Sequence, residues 1–549
     1  MRRLIFAFCL GTGLCSAQVG STSVTVDRLV KAQDEPQNWL TYSGTYASQR
    51  YSTLSQITPL NAKTLEQKWV FQAESLQKLE TVPLVVDGIM YLTQPPNDVV
   101  ALDARTGRVF WIYAYKPSPD AKPCCGAVNR GLAIVGETLY MATIDAHLIA
   151  IDAHTGKPIW NTTVADAGAG YAMTLAPLVV KDKVVVGVAG GEYGIRGFLA
   201  AYDVKTGKEA WRFYTIPGPG EPGHETWPND DSWKHGGASV WLTGSYDPAL
   251  NLIYWGVGNP GPDWNPAQRA GSNLYADSAI ALDADTGKLK WHFQFTPNDG
   301  YDYDSVQIPV LVDALWNGAP RKLMLWANRN GFFYVLDRVT GKFLSGHNFV
   351  KVNWASGLDD AGKPVATPTP PGAITYPGVQ GGTNWYSPSY SPHTGLFYLS
   401  AWEDYGSVFE RQENEYKEGQ RFTGGRPGSA IPGSPNPGIR GAPINTATEA
   451  AGHGSVMALD IHTGQKKWTF PMTDVTDAGI LSTASDLLFT GGREGYFLVL
   501  DARSGGLIWK ANLGGAISAA PISYQLDGKE YVAIAAGHAL FVYGLRDTP

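Results

Sequence analysis

The stretch Ala101-Leu102-Asp103-Ala104-Arg105-Thr106-Gly107-Arg108-Val109-Phe110-Trp111 decides the fold. It combines an apolar strand end, an Asp, a Thr-Gly pair three residues later and a Trp eight residues after the Asp. Apolar alternation before a Thr-Gly turn is typical of short antiparallel strands. The pattern occurs eight times, once with Asn in place of Asp, and its eight copies end at Trp69, Trp111, Trp160, Trp211, Trp291, Ser345, Trp468 and Trp509.

The spacing of the copies predicts the architecture. Five of the seven gaps measure between 41 and 54 residues, and the other two measure 80 and 123. Four strands with their turns occupy about 40–50 residues, the usual size of a propeller blade. The sequence therefore predicts an all-β, eight-bladed β-propeller with Trp-containing repeats, in which each indole packs between neighbouring blades. We expect residues 18–549 to form this single domain.

The two long gaps, 203–283 and 337–460, must hold insertions on one face of the ring. Within the second gap, the Gly- and Pro-rich residues 424–443 predict a loop. The 40 residues after Trp509 are enough to finish the ring with help from the N-terminal segment.

Composition excludes several classes of protein. Charged residues are only 17% of the chain and the formal net charge is −7. The chain therefore lacks the excess of basic residues that is typical of nucleic-acid-binding proteins. Intrinsic disorder needs low hydrophobicity and high charge, and this chain has neither.

Residues 1–17 are typical of a cleaved secretory signal peptide. Arg2-Arg3 forms a basic start, an apolar run follows, and Ser16-Ala17 is a small-residue cleavage site. The run is too short to cross a bilayer as a helix, and no later segment predicts a membrane span in the mature chain. A retained membrane anchor is the alternative.

Cys124 and Cys125 are the only cysteines beyond the predicted cleavage site. Their Cα atoms are about 3.8 Å apart, below the roughly 4.4–6.8 Å that is usual for a disulfide. If oxidised, the pair would form a strained eight-membered ring. Such a bridge would not cross-link distant parts of the chain. The alternative is two unpaired structural thiols.

A second cluster is Asn298-Asp299-Gly300-Tyr301-Asp302-Tyr303-Asp304. In an extended segment Asp302 and Asp304 would point the same way, so they could hold a hard cation or share a proton. A solvated acidic turn is the alternative. Weaker candidates, each of which alone would be structural, are Glu192 after two glycines, Asn259 before a proline, and Arg329 between two Asn residues just before a strand.

These residues together resemble a known family. From about Asn38 to Tyr543 the chain is similar to the quinoprotein alcohol dehydrogenases of the methanol and ethanol type, which use pyrroloquinoline quinone (PQQ). The vicinal cysteine pair occurs in order with all the other motifs, which makes the resemblance specific. It implies an eight-bladed propeller with the quinone on its axis, between a vicinal disulfide and a Trp.

The resemblance assigns a role to each matching residue. It implies that Cys124-Cys125 is the disulfide, that Trp241 stacks on the opposite face, and that Asp302 is the catalytic base. Arg329 would lie near the reactive carbonyls. Further quinone contacts would be Glu80, Arg130, Thr174, Gly190, Gly191, Asn384 and Trp385, and the metal ligands would include Glu192 and Asn259.

Asp304 bears on the identity of the metal. In calcium-dependent members the residue two positions after the catalytic Asp is usually small or uncharged, whereas lanthanide-dependent members have a ligating Asp there. Asp304 is therefore similar to the lanthanide type, and a trivalent ion favours one more anionic oxygen than Ca²⁺. A Ca²⁺-dependent enzyme with Asp304 as a bystander is the alternative.

Three departures from the pattern concern the pocket. Asp477 stands where methanol enzymes have a Trp, and Ala189 replaces a Ser near the quinone carboxylates. The Trp-bearing loop that narrows the methanol pocket is missing, since residues 537–540 form a short segment. We therefore expect longer primary alcohols to enter, with Trp264 as one wall.

The implied function is periplasmic oxidation of primary alcohols to aldehydes. Asp302 would take the alcohol proton, the metal would act as a Lewis acid and Arg329 would stabilise the developing oxyanion. The chain has no Cys-x-x-Cys-His motif, so we expect electrons to pass to a separate soluble c-type cytochrome. A non-enzymatic propeller scaffold of the cell envelope is the rival, although it would need neither the cysteine pair nor Asp302. A homodimer and a small accessory subunit are left open.

Overall fold

The computed structural model describes residues 23–429 and 451–547. The predicted signal peptide, 1–17, and residues 430–443 of the predicted loop lie outside the described residues. Eight antiparallel sheets follow one another along the chain as blades 1 to 8, which confirms the predicted eight-bladed propeller.

The strands of blades 1 to 4 are, in chain order, Leu84–Val86, Ile89–Gln94, Asp98–Asp103 and Val109–Tyr113 for blade 1; Ala133–Val135, Thr138–Ala142, His147–Asp152 and Pro158–Thr163 for blade 2; Leu178–Val180, Lys183–Gly187, Phe198–Asp203 and Glu209–Tyr214 for blade 3; Ser245–Asp247, Leu252–Gly256, Ser278–Asp283 and Leu289–Gln294 for blade 4. Those of blades 5 to 8 are Val310–Trp316, Ala319–Ala327, Phe332–Asp337 and Phe343–Asn348 for blade 5; Ser389–Ser391, Leu396–Tyr405, Ala451–Asp460 and Lys466–Pro471 for blade 6; Leu481–Thr483, Leu487–Gly491, Tyr496–Asp501 and Leu507–Asn512 for blade 7; Ile522–Leu526, Lys529–Ala536, Ala539–Leu545 and the N-terminal Leu65–Gln72 for blade 8.

Within residues 23–429 and 451–547, the elements outside the blades are few and short. One α-helix, Val26–Val30, precedes the ring, and the strand Tyr51–Ser52 pairs in parallel with Leu481–Thr483. Two hairpins are inserted, Ala355–Leu358 with Pro364–Ala366 and Ser407–Arg411 with Gly425–Ser429. The 3₁₀ helices are Ala32–Asp34, Ala62–Thr64, Gly191–Tyr193, His224–Thr226, Ser232–Lys234 and Pro266–Arg269.

Both inserted hairpins lie inside the second long gap, 337–460, and the first long gap, 203–283, holds the 3₁₀ helices His224–Thr226, Ser232–Lys234 and Pro266–Arg269. The prediction of a loop from residue 424 is wrong at its start, because Gly425–Ser429 is a strand. Its backbone pairs antiparallel with Ser407–Arg411, a partner in the same insertion that the Gly and Pro content did not reveal.

The ring closes between its two ends. Leu65–Gln72 pairs antiparallel with Ala539–Leu545, so the N-terminal segment supplies the fourth strand of blade 8. This confirms the predicted closure. Because the pairing joins distant parts of the chain, it fastens the ring without a covalent link.

The repeat shows how one blade packs on the next. The indole of Trp111 lies against Gly156 in the turn of blade 2 and donates a hydrogen bond to Ala153 O at 3.1 Å. A Cβ at Gly156 would overlap the indole, and the backbone there is left-handed (φ 71°). Asp152 holds the same turn by accepting hydrogen bonds from the backbone N–H and hydroxyl of Thr155. The predicted packing of Trp between blades is therefore confirmed.

Chain direction places the candidate residues on one face of the ring. We call the upper face the one at which the first strand of every blade begins. Because neighbouring strands are antiparallel, the second and fourth strands end at this same face. The segments just before first strands carry Glu80, Arg130, Thr174, Trp241, Asp304 and Asn384, and those after second strands carry Glu192, Asn259 and Arg329. Over the part of the chain that is described, no helix is long and apolar enough to cross a membrane.

Candidate active site

Arg130 is the centre of an aromatic and charged cluster. Its guanidinium carbon lies 5.2 Å from the ring centroid of Trp241 and 4.8 Å from that of Trp385. Its Nη2 pairs with Glu80 Oε2 at 2.9 Å and its Nη1 donates to Thr174 Oγ1 at 3.1 Å. Five of the residues expected to contact the quinone therefore meet at one place.

This cluster suits an anionic planar ligand. The Nε atom of Arg130 is buried and has no hydrogen-bond acceptor among the described residues. A buried donor without an acceptor costs about 1–3 kcal/mol, and a ligand carboxylate would satisfy it. The flat faces of Trp241 and Trp385 beside the guanidinium offer stacking surface to an aromatic ring.

Two more side chains complete this region. Lys78, which sequence reasoning missed, pairs with Glu80 Oε1 at 2.9 Å and lies 5.8 Å from the Trp385 centroid. Its only signal in the sequence was its position two residues before Glu80. Asn384 donates to Gln380 O at 3.0 Å and accepts from the backbone N–H of Trp385 at 2.9 Å, which fixes its amide beside that indole.

The cysteine pair lies beside Glu192. The structure holds Cys124 and Cys125 as thiols without a disulfide bond, and both sulfur atoms lie within 4.8 Å of a Glu192 carboxylate oxygen. A hydrogen bond with Cys125, burial and the charge of Glu192 raise the pKa of the Cys124 thiol. The disulfide implied by the resemblance stays a prediction.

The blade 6 insertion covers this edge of the site. Arg421 donates to Cys124 O at 3.3 Å, and the backbone N–H of Phe422 donates to Glu192 O at 2.7 Å. Glu192 itself belongs to a 3₁₀ helix that begins after Gly190, whose backbone is left-handed (φ 116°). Gly190 and Gly191 are both buried here.

Asp302 and Asp304 meet at Arg329. Arg329 Nη2 lies 3.1 Å from Asp302 Oδ2, and Arg329 Nη1 lies 2.7 Å from Asp304 Oδ2. The expectation that the two acids point the same way because the segment is extended is wrong in its premise, since Asp302 has a left-handed backbone (φ 62°). The carboxylates converge because one guanidinium bridges them.

Asp304 also reaches the loop that carries Asn259. Its Oδ1 accepts a hydrogen bond from the Asn259 backbone N–H at 2.9 Å. A Cβ at Gly258 would collide with that oxygen, so this approach requires glycine. The hydrogen bond ties the loop after the second strand of blade 4 to the loop before blade 5.

An excess of buried carboxylates characterises this part of the site. Burial is the main cause that raises the pKa of Asp302; Arg329 opposes it, while Asp304, Asp263 and Glu192 add to it. Burial and the charge of Glu192 likewise raise the pKa of Asp263. Repulsion among carboxylates is relieved by a multivalent cation, for which oxygen ligands are suited.

The predicted metal ligands lie in the same region of the structure, but their ligand atoms do not converge on a single position. Among the described His, Cys, Asp and Glu side chains, the one group of three whose ligand atoms all lie within 4.8 Å of one another is Cys124, Cys125 and Glu192. Arg329 lies between Asp302 and Asp304 instead. The role of each as a ligand stays a prediction.

Two buried polar residues near the acids, Asp299 and Arg269, had no role assigned from the sequence. Asp299 accepts hydrogen bonds from the backbone N–H groups of Tyr301 and Tyr303 at 2.9 and 2.7 Å, and burial raises its pKa to about 6. Arg269 donates to Pro262 O at 3.2 Å and to the backbone oxygen of Asp299. Asp299 stood in the acidic cluster of the sequence, whereas Arg269 had no local signal.

An aromatic wall lies next to Arg329. Arg329 Nε donates to Val379 O at 3.0 Å, and Val379 belongs to an apolar cluster against which Trp264, Trp385 and Phe409 pack. The role of Trp264 as one wall of a substrate pocket stays a prediction. Asp477, by contrast, is paired with Arg493 at 3.0 Å.

Comparison with known proteins agrees with this geometry. Residues 39–356 and 355–532 match the family model described as PQQ, glucose/ethanol/alcohol dehydrogenase, beta-propeller domain. The chain is 37% identical to the quinohemoprotein alcohol dehydrogenase ADH IIB of Pseudomonas putida, over 98% of this chain and 78% of that protein. It is 36% identical to the quinoprotein alcohol dehydrogenase PedH of Pseudomonas putida, over 98% and 92%.

Solved structures agree as well. A europium-containing methanol dehydrogenase superposes with a TM-score of 0.87 and 33% identity, covering 94% of this chain and 100% of that one. The quinohemoprotein alcohol dehydrogenase ADHIIG of Pseudomonas putida HK5 superposes with a TM-score of 0.88 and 34% identity, covering 96% and 83%. This chain belongs to the PQQ-dependent alcohol dehydrogenase family.

Proposed function

We propose that this protein oxidises primary alcohols to aldehydes, with PQQ bound on the propeller axis and Asp302 as the general base. The observation that carries the proposal is the pairing of Asp302, whose side chain is 21% exposed, with the nearly buried Arg329 at 3.1 Å. A general base must be accessible to the substrate hydroxyl and must also be held in a fixed position. The partial exposure of Asp302 allows the first, and its ion pair with Arg329 provides the second.

The residues around Arg130 would hold the cofactor. Its unsatisfied Nε and its neighbour Thr174 suit a carboxylate of PQQ, and Trp241 would stack on the ring. When bound, PQQ supplies the carbonyl carbon that accepts hydride from the alcohol carbon. An oxidised Cys124-Cys125 pair would cover the other face of the ring.

Asp302 would accept the proton of the substrate hydroxyl as the carbon–hydrogen bond breaks. Burial raises its pKa, which makes the carboxylate a stronger base than an exposed Asp. Arg329 donates a hydrogen bond to that carboxylate and would place positive charge where negative charge develops on oxygen. Trp264 and Phe409 would exclude water from the alkyl chain of a longer alcohol.

The metal would be held by Glu192, Asn259, Asp302 and Asp304, and we propose a lanthanide. The third carboxylate supports this choice over Ca²⁺, since each anionic ligand favours a trivalent ion more strongly. We further propose cleavage of residues 1–17, a periplasmic location and a soluble c-type cytochrome as electron acceptor.

The test is dye-linked oxidation of a short series of primary alcohols after reconstitution with PQQ and either La³⁺ or Ca²⁺. Asp302→Asn, which keeps the shape and removes the base, should lose at least 100-fold in kcat. Asp360→Asn, at an exposed turn, is the matched control and should retain activity. Activity with Ca²⁺ alone would remove the lanthanide proposal, and full activity of Asp302→Asn would remove the proposed base.

A further inference from the structure

A segment inserted in blade 6 crosses the upper face of the ring. We call residues 412–424, between the two strands of the inserted hairpin, the strap. It leaves and rejoins the structure at blade 6, yet it hydrogen-bonds with Trp264 in a loop of blade 4, with Glu192 in a loop of blade 3 and with Cys124 just before blade 2. In a ring of eight blades, blade 2 lies opposite blade 6. The strap therefore passes over the axis, where the quinone is proposed to bind.

The middle of the strap is fastened to the loops around blade 4. The Gln268 side-chain amide donates a hydrogen bond to Asn414 O at 2.9 Å. The ring of Tyr416 stacks on the imidazole of His235, with the centroids 4.2 Å apart and the planes 8° from parallel. His235 lies in the loop that leads from blade 3 into blade 4, so this stack joins the strap to a different part of the ring.

The far end of the strap is fastened to the segment that carries the cysteine pair. Lys122 Nζ donates to Gly419 O at 3.0 Å and to Gly168 O at 3.2 Å. Arg421 Nη2 donates to Cys124 O at 3.3 Å. Lys122 stands two residues before Cys124, so the strap and residues 122–125 form one cover. Since the cysteine pair is proposed to lie on one face of the quinone, this cover closes that face.

The strap is anchored more weakly than the blades beneath it. Phe422 is its only buried residue other than glycine, and its remaining anchors are polar contacts and the Tyr416 stack. Segments with few buried apolar contacts open locally at a lower free-energy cost than core strands. A ligand of three fused rings that is held between two faces can leave only if one face moves, and the strap is the face that can move.

We propose that the strap is a gate for the cofactor, which opens together with residues 122–125 to let the quinone enter or leave and closes over the bound quinone during turnover. The inference rests on the proposed PQQ site. Tyr416 and Lys122 are positioning residues in this device, because they act by holding the strap closed.

Two substitutions loosen the gate at different points. Tyr416→Ala removes the ring stack on His235, and Lys122→Ala removes the two hydrogen bonds at the far end. Lys417→Ala is the matched control. Lys417 lies in the strap itself, and its ion-pair partner at 3.5 Å, Glu415, belongs to the strap as well, so this pair does not fasten the strap to the ring.

The experiment measures the rates of PQQ binding and release by the full chain, with circular dichroism to confirm folding. Association is followed by quenching of Trp fluorescence after rapid mixing, and release by the PQQ that stays with the loaded chain after dilution and gel filtration. Weakening a closed state that blocks passage raises both rates by the same factor and leaves the dissociation constant unchanged. From the usual strength of an aromatic pair or of two hydrogen bonds, we expect rises of about 2- to 10-fold in Tyr416→Ala and Lys122→Ala. Lys417→Ala should match the unmodified chain.

Trypsin cleavage after Arg421 reports opening of the strap without any quinone. It should become faster in Tyr416→Ala and Lys122→Ala by a similar factor. Faster cleavage with unchanged PQQ rates would overturn the gate, because the strap would then open without controlling passage.

The remaining outcomes also decide the matter. A weaker dissociation constant with an unchanged association rate would show that the strap holds the bound quinone directly, which contradicts a gate. Unchanged cleavage and unchanged PQQ rates in both variants would overturn the inference as well. If the unmodified chain binds no PQQ, the proposed cofactor site itself is wrong, and the gate falls with it.

Discussion

Replacing Arg130 tests the cofactor site most directly. Arg130→Ala removes the guanidinium that lies near the rings of both Trp241 and Trp385 and leaves Glu80 with Lys78 as its remaining ion-pair partner. Arg130→Lys keeps a positive charge but loses the planar group and the Nε donor that has no acceptor in the described structure. Both changes should weaken PQQ binding.

The magnitude follows from the hydrogen bond between Arg130 and a ligand carboxylate. A hydrogen bond to a charged group contributes about 1.5–3 kcal/mol, which corresponds to roughly 10- to 150-fold in the dissociation constant. We expect Arg130→Ala to fall at the upper end, because the ligand also loses its nearest positive charge. Arg130→Lys should fall at the lower end, because an ammonium group retains that charge without the fork geometry of the guanidinium.

The assay is quenching of Trp fluorescence as PQQ is titrated into the full chain. Arg338→Lys is the control, since Arg338 is an equally buried cation that pairs with Asp247 at 2.9 Å and lies between blades rather than in the proposed site. A dissociation constant for Arg130→Ala within twofold of that of the unmodified chain would refute this role of Arg130 in the cofactor site.

Three further predictions concern the metal, pH and packing. Asp304→Ala should abolish La³⁺-supported alcohol oxidation while circular dichroism shows a folded chain; normal turnover with La³⁺ would contradict its role as ligand. Burial raises the pKa of Glu530 to about 7 from 4.5, so the free energy of unfolding should fall as pH rises from 4.5 through 7, by roughly 2–3 kcal/mol. In urea unfolding, Glu530→Gln should remove most of that fall, and an equal fall in both chains would count against it. Gly156→Ala should destabilise the protein by about 2–4 kcal/mol through its left-handed backbone and its overlap with Trp111, whereas Gly220→Ala, with the same backbone region but open space, should cost only about 1 kcal/mol in thermal unfolding.

Much of the fold could be predicted from local sequence. The Asp, Thr-Gly and Trp of each repeat act within one turn or across one blade boundary, as the hydrogen bonds of Asp152 and Trp111 show. Where the Trp is replaced by Ser345, the turn glycine of the next blade, Gly464, lies against the ring of His347 instead. Because His347 stands two residues after the Trp position of the repeat, a search for the repeat pattern does not identify it.

The sequence predicted which residues belong to the candidate site better than it predicted how they are arranged. The resemblance named Arg130, Asp302 and Arg329, and the structure places each on the upper face. The bridging of the two acids by Arg329 was not predictable from local patterns, because it joins residues 25 and 27 positions apart in the sequence.

The sequence by itself determined the blade count, the family and the residue types at the site, because a repeat of local turns and a set of ordered motifs are both written along the chain. Only the tertiary structure decided which groups meet. The contacts of Arg130 with Trp241 and Trp385, and the hydrogen bond from the Asn259 backbone N–H to Asp304, arise where the ring brings loops of different blades to one face. Packing and electrostatics across those loops act between residues far apart in sequence, so no local pattern encodes them.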